Sequence, residues 1–474
     1  MGRRKGAHPS KGAKSYNVAY CYLPFVNEAL PDDTAYSRFV DALEKSEAWE
    51  AVDERPSYLF RYIGDKYDRS SPDCQCHVYR LTRTATIELG FSRSRQWEPV
   101  PVSLPDPEGD RRFDVQDVFC CAFSTSVCIL ILKLRFATDD PYMVADLLYN
   151  LKKVRRQGIV PVGGGEFGSI AKVAHDSEGG LPLTSIGGEV LSRTGVSFGP
   201  RFFFYASEGK EHMNVLLHVS IPDDAGVDAE RLLFYLGNTY RRTFDYDRRH
   251  SLPISMHWAS KTTAWSYSPE AVACLTMPSR ADTDDAKAFV MDGFRNNFTH
   301  HYQFLYLLLL HQKYEYYRLL MKIGAGEQRN REQLEAFRHE LEIFRANFVF
   351  ARVSETQQYQ ALYGAVANEL QLGEMDRDTG EPIRALREMR RDDEAESRQV
   401  EELAERESDR RMERALNAVT VVAIVSALLD GLDLIGKYVP PTEKTSGLKV
   451  LLQLALTAIL VGEAAWLLNE IRRH

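Results

Sequence analysis

Residues 415–468 read ALNAVTVVAIVSALLDGLDLIGKYVPPTEKTSGLKVLLQLALTAILVGEAAWLL. Two apolar runs, Ala415 to about Ile435 and Leu448 to Leu468, are each close to the roughly 20 residues that a helix needs to cross a bilayer. Arg398, Arg406, Arg410, Arg411 and Arg414 precede the first run, Arg472 and Arg473 follow the second, and Lys437 and Lys444 lie between them. The excess of arginine outside the pair predicts that both termini are cytoplasmic in an inner (plasma) membrane. The link, residues 437–447, is short enough to force an antiparallel hairpin with KYVPPTEKTSG on the outer side. Tyr438 and Trp466 stand where interfacial aromatic residues sit.

The first run carries charge where a span should not. Helical spacing puts Val419, Val422, Ser426, Asp430 and Asp433 on one stripe, apolar in its inner half and acidic in its outer half. A carboxylate within a span costs about 2.5–3.5 kcal/mol on insertion scales and normally faces a bundle interior or a water path. Several copies around that stripe would turn each aspartate into a ring that attracts cations. The competing reading places Asp430 and Asp433 among the headgroups, or pairs them with Lys437. Asn417 and Glu463 read as packing or interfacial groups.

Upstream, residues 383–414 contain neither Gly nor Pro and mix both signs of charge densely. With nothing to break it before Gly431, this stretch reads as a stalk helix that continues into the span, about 50 residues and about 75 Å in all. LGEMDRDTGEP, 372–382, holds two glycines and a proline and reads as a break. Residues 285–371 show helical spacing. LYLLLL, 305–310, is too short to span and reads as a buried helix. From 16 to 284, β-rich runs such as NVAYCYLPF alternate with helical stretches such as DPYMVADLLYNLKKVRR, the pattern of an α/β domain. Within it DVFCCAFSTSVCILILKLRFA, 117–137, reads as two buried strands around STS, because Lys133 and Arg135 alternate with apolar residues. Residues 1–15 are a basic tail without an apolar core, so not a signal peptide.

The net charge of −8 argues against nucleic acid as the main partner. Seven cysteines without regular spacing fit a reducing cytosol. Motifs for chemistry are thin. VGGGEFGSIAKVAH, 162–175, superficially matches a kinase glycine loop, with Gly163–Gly168 able to approach a phosphate, yet the other kinase motifs are missing. Cys74, Cys76 and His77 lack a second ligand pair at zinc-finger spacing. Cys120 and Cys121 are expected to point to opposite faces of a strand, one inward and one outward. His300 and His301 diverge by about 100° on a helix and read as ordinary polar contacts. No enzyme and no resident cofactor are expected.

The layout resembles that of the CorA-type divalent-cation transporters and their zinc-transporting relatives: a large cytoplasmic domain, helices, a long stalk helix entering the first of two C-terminal spans, and a basic tail. Their Gly-Met-Asn motif at the outer end of the first span is matched here by Gly431-Leu432-Asp433. The resemblance implies a homopentamer in membrane lipid, an ion path along Asp430, Asp433, Ser426 and Gly431, and an apolar gate at Val419 and Val422. Asp430 and Asp433 would meet the transported ion. An aspartate where the family has an asparagine leaves the ion open, with magnesium one candidate as substrate and regulator. Two other readings stand beside this one: a membrane effector of antiviral defence opened by a nucleotide-type messenger, and a membrane-anchored interaction protein without transport.

Overall fold

The computed structural model describes residues 16–53, 58–96, 101–104, 111–152, 160–161, 183–205, 210–211, 213–222, 226–247, 255–324 and 331–438, and a discontinuous set between 447 and 466. It divides into two compact units, Met1–Ile383 and Arg384–His474.

Among the described residues the first unit is built on a 12-stranded mixed sheet whose main path runs through β12 (Ser255–Ser260), β13 (Thr263–Tyr267), β14 (Ala271–Thr276), β11 (Asn214–Ser220), β1 (Tyr16–Asn27), β6 (Val127–Phe136), β5 (Arg111–Phe123), β3 (Cys76–Leu81) and β2 (Trp49–Ala51). At its centre lies β1, Tyr16–Asn27, an almost continuous apolar and aromatic run. It pairs with β6 (Val127–Phe136) along one edge. Along the other edge it pairs first with β11 (Asn214–Ser220) and then with β8 (Pro200–Phe202). Pro24, which has no N–H to give, lies where one partner ends and the other begins, so no ladder bond is lost there. The stretch 117–137 forms two strands as expected: β5 (Arg111–Phe123) and β6 make an antiparallel hairpin, closed with Ser126 at φ 70°. Strands β11 and β14 (Ala271–Thr276) run parallel. The connection between them carries a helix and the hairpin β12 (Ser255–Ser260) and β13 (Thr263–Tyr267).

Both faces of the sheet are covered. Ala19, Cys21, Leu23 and Phe25 of β1 point into an apolar core with residues of helices that include α1 (Asp32–Lys45), α2 (Pro141–Lys152), α3 (Leu183–Arg193) and α4 (Ala229–Asn238). Alternate residues face the other way, onto α5, a helical run over residues 284–324. There Tyr22 packs edge-on against Tyr306 with ring centroids 5.2 Å apart, and Trp265 against Tyr302 at 5.0 Å. The run 305–310 is buried in α5, as its length suggests. The second cover also corrects the reading of the paired cysteines: Cys120 and Cys121 do point to opposite faces, but both are fully buried, because neither face meets water. The α/β region and the helical region that follows it belong to one unit.

Two further helices, α6 (Arg331–Phe348) and α7 (Gln357–Glu369), lead to α8, Leu372–Tyr438, a single helix of 67 residues. It runs through Gly373, Gly380 and Pro382, so the expected break at 372–382 does not occur. The reason is packing: Leu372, Thr379 and Ile383 are buried, and tertiary contacts of this kind outweigh local helix propensity.

A buried cation ties α5 to the turn before β14. Lys313 is 5% exposed and its ammonium donates to the Pro269 carbonyl at 3.1 Å. Burial pushes its pKa down to about 8, against partial support from Glu270. The unfolded chain holds this proton to about pH 10.4. Between the two values the unfolded chain binds more protons, so the group's cost is full below about pH 8 and is relieved as pH rises towards 10. Lys313→Met should therefore be more stable than the wild type at pH 7, with the gap closing near pH 10. The Pro269 carbonyl keeps its bond from Asn214 in the variant. Urea melts of the full chain in detergent at the two pH values check this; a gap independent of pH would refute it.

Candidate functional site

The site is carried by α8, which is fixed at its start and exposed over the rest. In its first turns Asp376 accepts hydrogen bonds from Arg345 Nε of α6 at 2.7 Å and from the Tyr316 hydroxyl of α5 at 2.8 Å. A second Arg345 nitrogen, Nη2, donates to the Asp376 carbonyl at 3.0 Å. Gly380 leaves room for that guanidinium: a Cβ there would lie 2.8 Å from Nη2. Burial and the bond to Asp376 push the Tyr316 hydroxyl well above its ordinary range.

Beyond Ile383 every described side chain up to Asn417 is exposed. This part of the helix is supported locally. Glu402–Arg406 at 3.9 Å and Glu407–Arg411 at 3.8 Å are i,i+4 pairs with the acid on the N-terminal side, each contributing a few tenths of a kcal/mol.

The apolar part of α8 belongs to the stretch Ser397–Asp430, the helix that is long and apolar enough to cross a membrane. Its hydrophobic side chains are uncovered: Leu416, Val419, Val422, Ile424 and Leu428 all rank among the exposed large hydrophobic residues. A continuous patch of this kind marks an interaction or membrane surface. Thr420 returns its hydroxyl to the Leu416 carbonyl at 2.8 Å, which satisfies a polar group inside the apolar stretch.

Two neighbouring stripes behave differently. Ala418 and Val425 are buried, at 7% and 6% exposure, and Val421 and Leu429 on the same face are half-buried. One residue further on, the predicted ion-path stripe is exposed: Val419 at 67%, Val422 at 42%, and Ser426 and Asp430 with them. The helix extends through Gly431 and Asp433 to Tyr438, so the Gly431-Leu432-Asp433 motif is helical. The side chain of Asp433 lies outside the described residues. So do most of the link at 437–447 and the continuity of the second apolar run, whose described residues between Val450 and Ile459 are helical and exposed.

The other sequence candidates are scattered. The glycine loop 162–175 lies outside the described residues. Cys76 is buried on β3 (Cys76–Leu81), His77 follows it on the opposite face, and Cys74 precedes the strand, so the three do not converge. Among the described residues no cluster of three or more His, Cys, Asp or Glu side chains is placed to hold a metal ion. His301 Nδ1 shares a hydrogen bond with the Tyr359 hydroxyl at 2.7 Å, an ordinary polar contact.

Sequence reasoning missed a charged network that joins three helices. Glu315 is fully buried and takes both ends of the Arg318 guanidinium, at 2.9 and 2.6 Å. Arg318 also pairs with Glu340 of α6, and Lys322 with Asp32 of α1 at 2.5 Å. The signal was present in the i,i+3 spacing of Glu315 and Arg318, but α1 lies almost 300 residues away from them in the chain.

No protein-family model, curated protein or solved structure matches this chain.

The anchor of α8 predicts a stability effect. Asp376→Ala leaves Arg345 Nε and the Tyr316 hydroxyl without their acceptor, and should cost about 1–3 kcal/mol. Arg345→Met should cost a similar amount, and the double variant little more than either alone. Denaturant melts of the four proteins close the cycle; additive losses would show that the pair does not act together.

Proposed function

We propose that the protein is an oligomeric membrane channel or transporter for divalent cations, CorA-like in layout, with its first unit in the cytoplasm acting on the pore through α8. The observation that carries this reading is the uncovered apolar surface of α8, into which the exposed polar and acidic positions Ser426 and Asp430 are set. A polar stripe on a membrane helix cannot be left in hydrocarbon and needs water or other protein in front of it. Copies of the same helix around a common axis supply both, and such rings of acidic side chains concentrate cations.

In this mechanism two spans, 415–436 and 448–468, cross the inner membrane with both termini cytoplasmic. A homopentamer, the assembly that the resemblance implies, surrounds the path. Cations gather at Asp433 and Asp430, and the Val419 and Val422 rings close the path by excluding water. Flow is passive, down the electrochemical gradient. Ala418 and Val425 are occupied within the chain, and the exposed Val419, Val422, Ser426 and Asp430 stripe is the one this reading turns to the axis.

The test is flux through the full chain in proteoliposomes, with magnesium, cobalt, nickel and zinc measured separately. Asp430→Asn with Asp433→Asn should lower flux by about tenfold or more, the change that about 1.4 kcal/mol of weaker cation binding produces. Val422→Ser should raise basal flux. Unchanged flux and selectivity in the aspartate variant would reject the acidic path, and no flux for any ion would leave the spans as an anchor.

A further inference from the structure

Helix α5 is not uniform. Two π-helical turns, Phe289–Gly293 and Phe298–Tyr302, bracket the single α-helical turn Phe294–Asn297. Each π-turn inserts a residue and re-aims the side chains beside it, and such turns are frequent at functional sites. The side chain set between them is Arg295.

Arg295 is only 27% exposed, yet among the described residues its guanidinium makes no hydrogen bond. The carboxylate nearest to it, Asp292, is 3.9 Å away and largely in solvent. Its Nε is buried without a partner. The guanidinium carbon lies 4.2 Å from the centre of the Tyr16 ring, which is a cation–π contact and uses none of the five N–H donors. A second unsatisfied donor or acceptor stands against the same ring. His218 is fully buried, 5.5 Å from Tyr16, with Nε2 at 2.9 Å from the Thr276 hydroxyl and Nδ1 without a partner. Burial, aided by the Arg295 charge, pushes this imidazole down to about 3, so it is neutral at pH 7. Nδ1 is thus the ring nitrogen left for a further partner.

The second cation is Arg135 of β6. It is half exposed, and Asp114 lies 3.9 Å from it, outside hydrogen-bonding distance. The charges of Arg295 and Arg135 both act on the Tyr16 hydroxyl. Buried donors left unmade are rare in folded proteins and call for an acceptor. A guanidinium fork pairs best with a carboxylate or phosphate group.

We propose that Arg295, Arg135, His218 and Tyr16 form a binding site for the oxyanion group, phosphate or carboxylate, of a small cytosolic ligand. The site lies on the second face of the sheet and is independent of the ion path, so it stands or falls without the channel reading.

The experiment is a thermal melt of the full chain in detergent with inorganic phosphate, and separately with citrate, each against sodium chloride at equal ionic strength. Trp265, which packs on Phe294 and Phe298, is the fluorescent reporter. Phosphate, citrate or both should raise the melting temperature of the wild type in a saturable way, and the arm that does so identifies the group. Arg295→Gln and Arg135→Gln should each weaken that binding by about tenfold, as the loss of a charge-assisted pair predicts. Arg61→Gln, an exposed arginine elsewhere, should leave it unchanged. Arg295→Lys keeps the charge without the fork and should bind between wild type and Arg295→Gln, which covers the case in which the glutamine variant does not fold. No shift beyond chloride for either anion, or equal shifts in wild type, Arg295→Lys and Arg135→Gln, would overturn the proposal.

Discussion

The central strands of the sheet are covered on both sides, and much of the first unit follows from that constraint. The first face answers it with aliphatic and aromatic side chains. The second face brings polar groups with it, and several are bonded where they lie. The Tyr22 hydroxyl donates to the Gln303 carbonyl, Asn214 braces the turn at Pro269, and Gln312 donates to both the Phe348 carbonyl and the Tyr363 hydroxyl. His311 stacks flat on Phe123, 3.8 Å away, and meets the Thr125 hydroxyl. The Tyr22 and His311 bonds join the sheet and its β5–β6 turn to α5, and those of Gln312 join α5 to α6 and α7, so the helical region is part of the same fold rather than a module set on it.

The elements that could be read from sequence are those whose signal is local. The alternation of Lys133 and Arg135 with Leu132, Leu134 and Phe136 marked a strand because a period of two is visible in five residues. The absence of Gly and Pro from 383–414 marked a long helix for the same reason. What could not be read depends on partners distant in the chain. The second burial of Cys121 requires α5, more than 160 residues later. The continuity of α8 across Gly380 and Pro382 requires Arg345 and Tyr316, which no propensity contains.

The candidate sites divide along the same line. The stripe of Val419, Val422, Ser426 and Asp430 is legible because a polar residue every turn stands out in an apolar helix. Which apolar stripe packs within the chain was not legible, since Ala418, Val421, Val425 and Leu429 differ little in chemistry from their neighbours. Tyr16, Arg135, His218 and Arg295 form no motif at all: they are single residues from two central strands, a neighbouring strand and a helix, brought together by register. The π-turns that frame Arg295 leave no sequence signature either.

The exposed middle of α8 has a consequence of its own. A helix held by tertiary packing melts with its domain, whereas one held by paired charges on its own surface answers to the solvent. Exposed ion pairs of this kind weaken as salt is added. From Arg384 to Asn417, where no described side chain is buried, helical order therefore responds to salt and temperature without a core to buffer it. The stretch with which the second unit begins is thus open to the ionic composition around it.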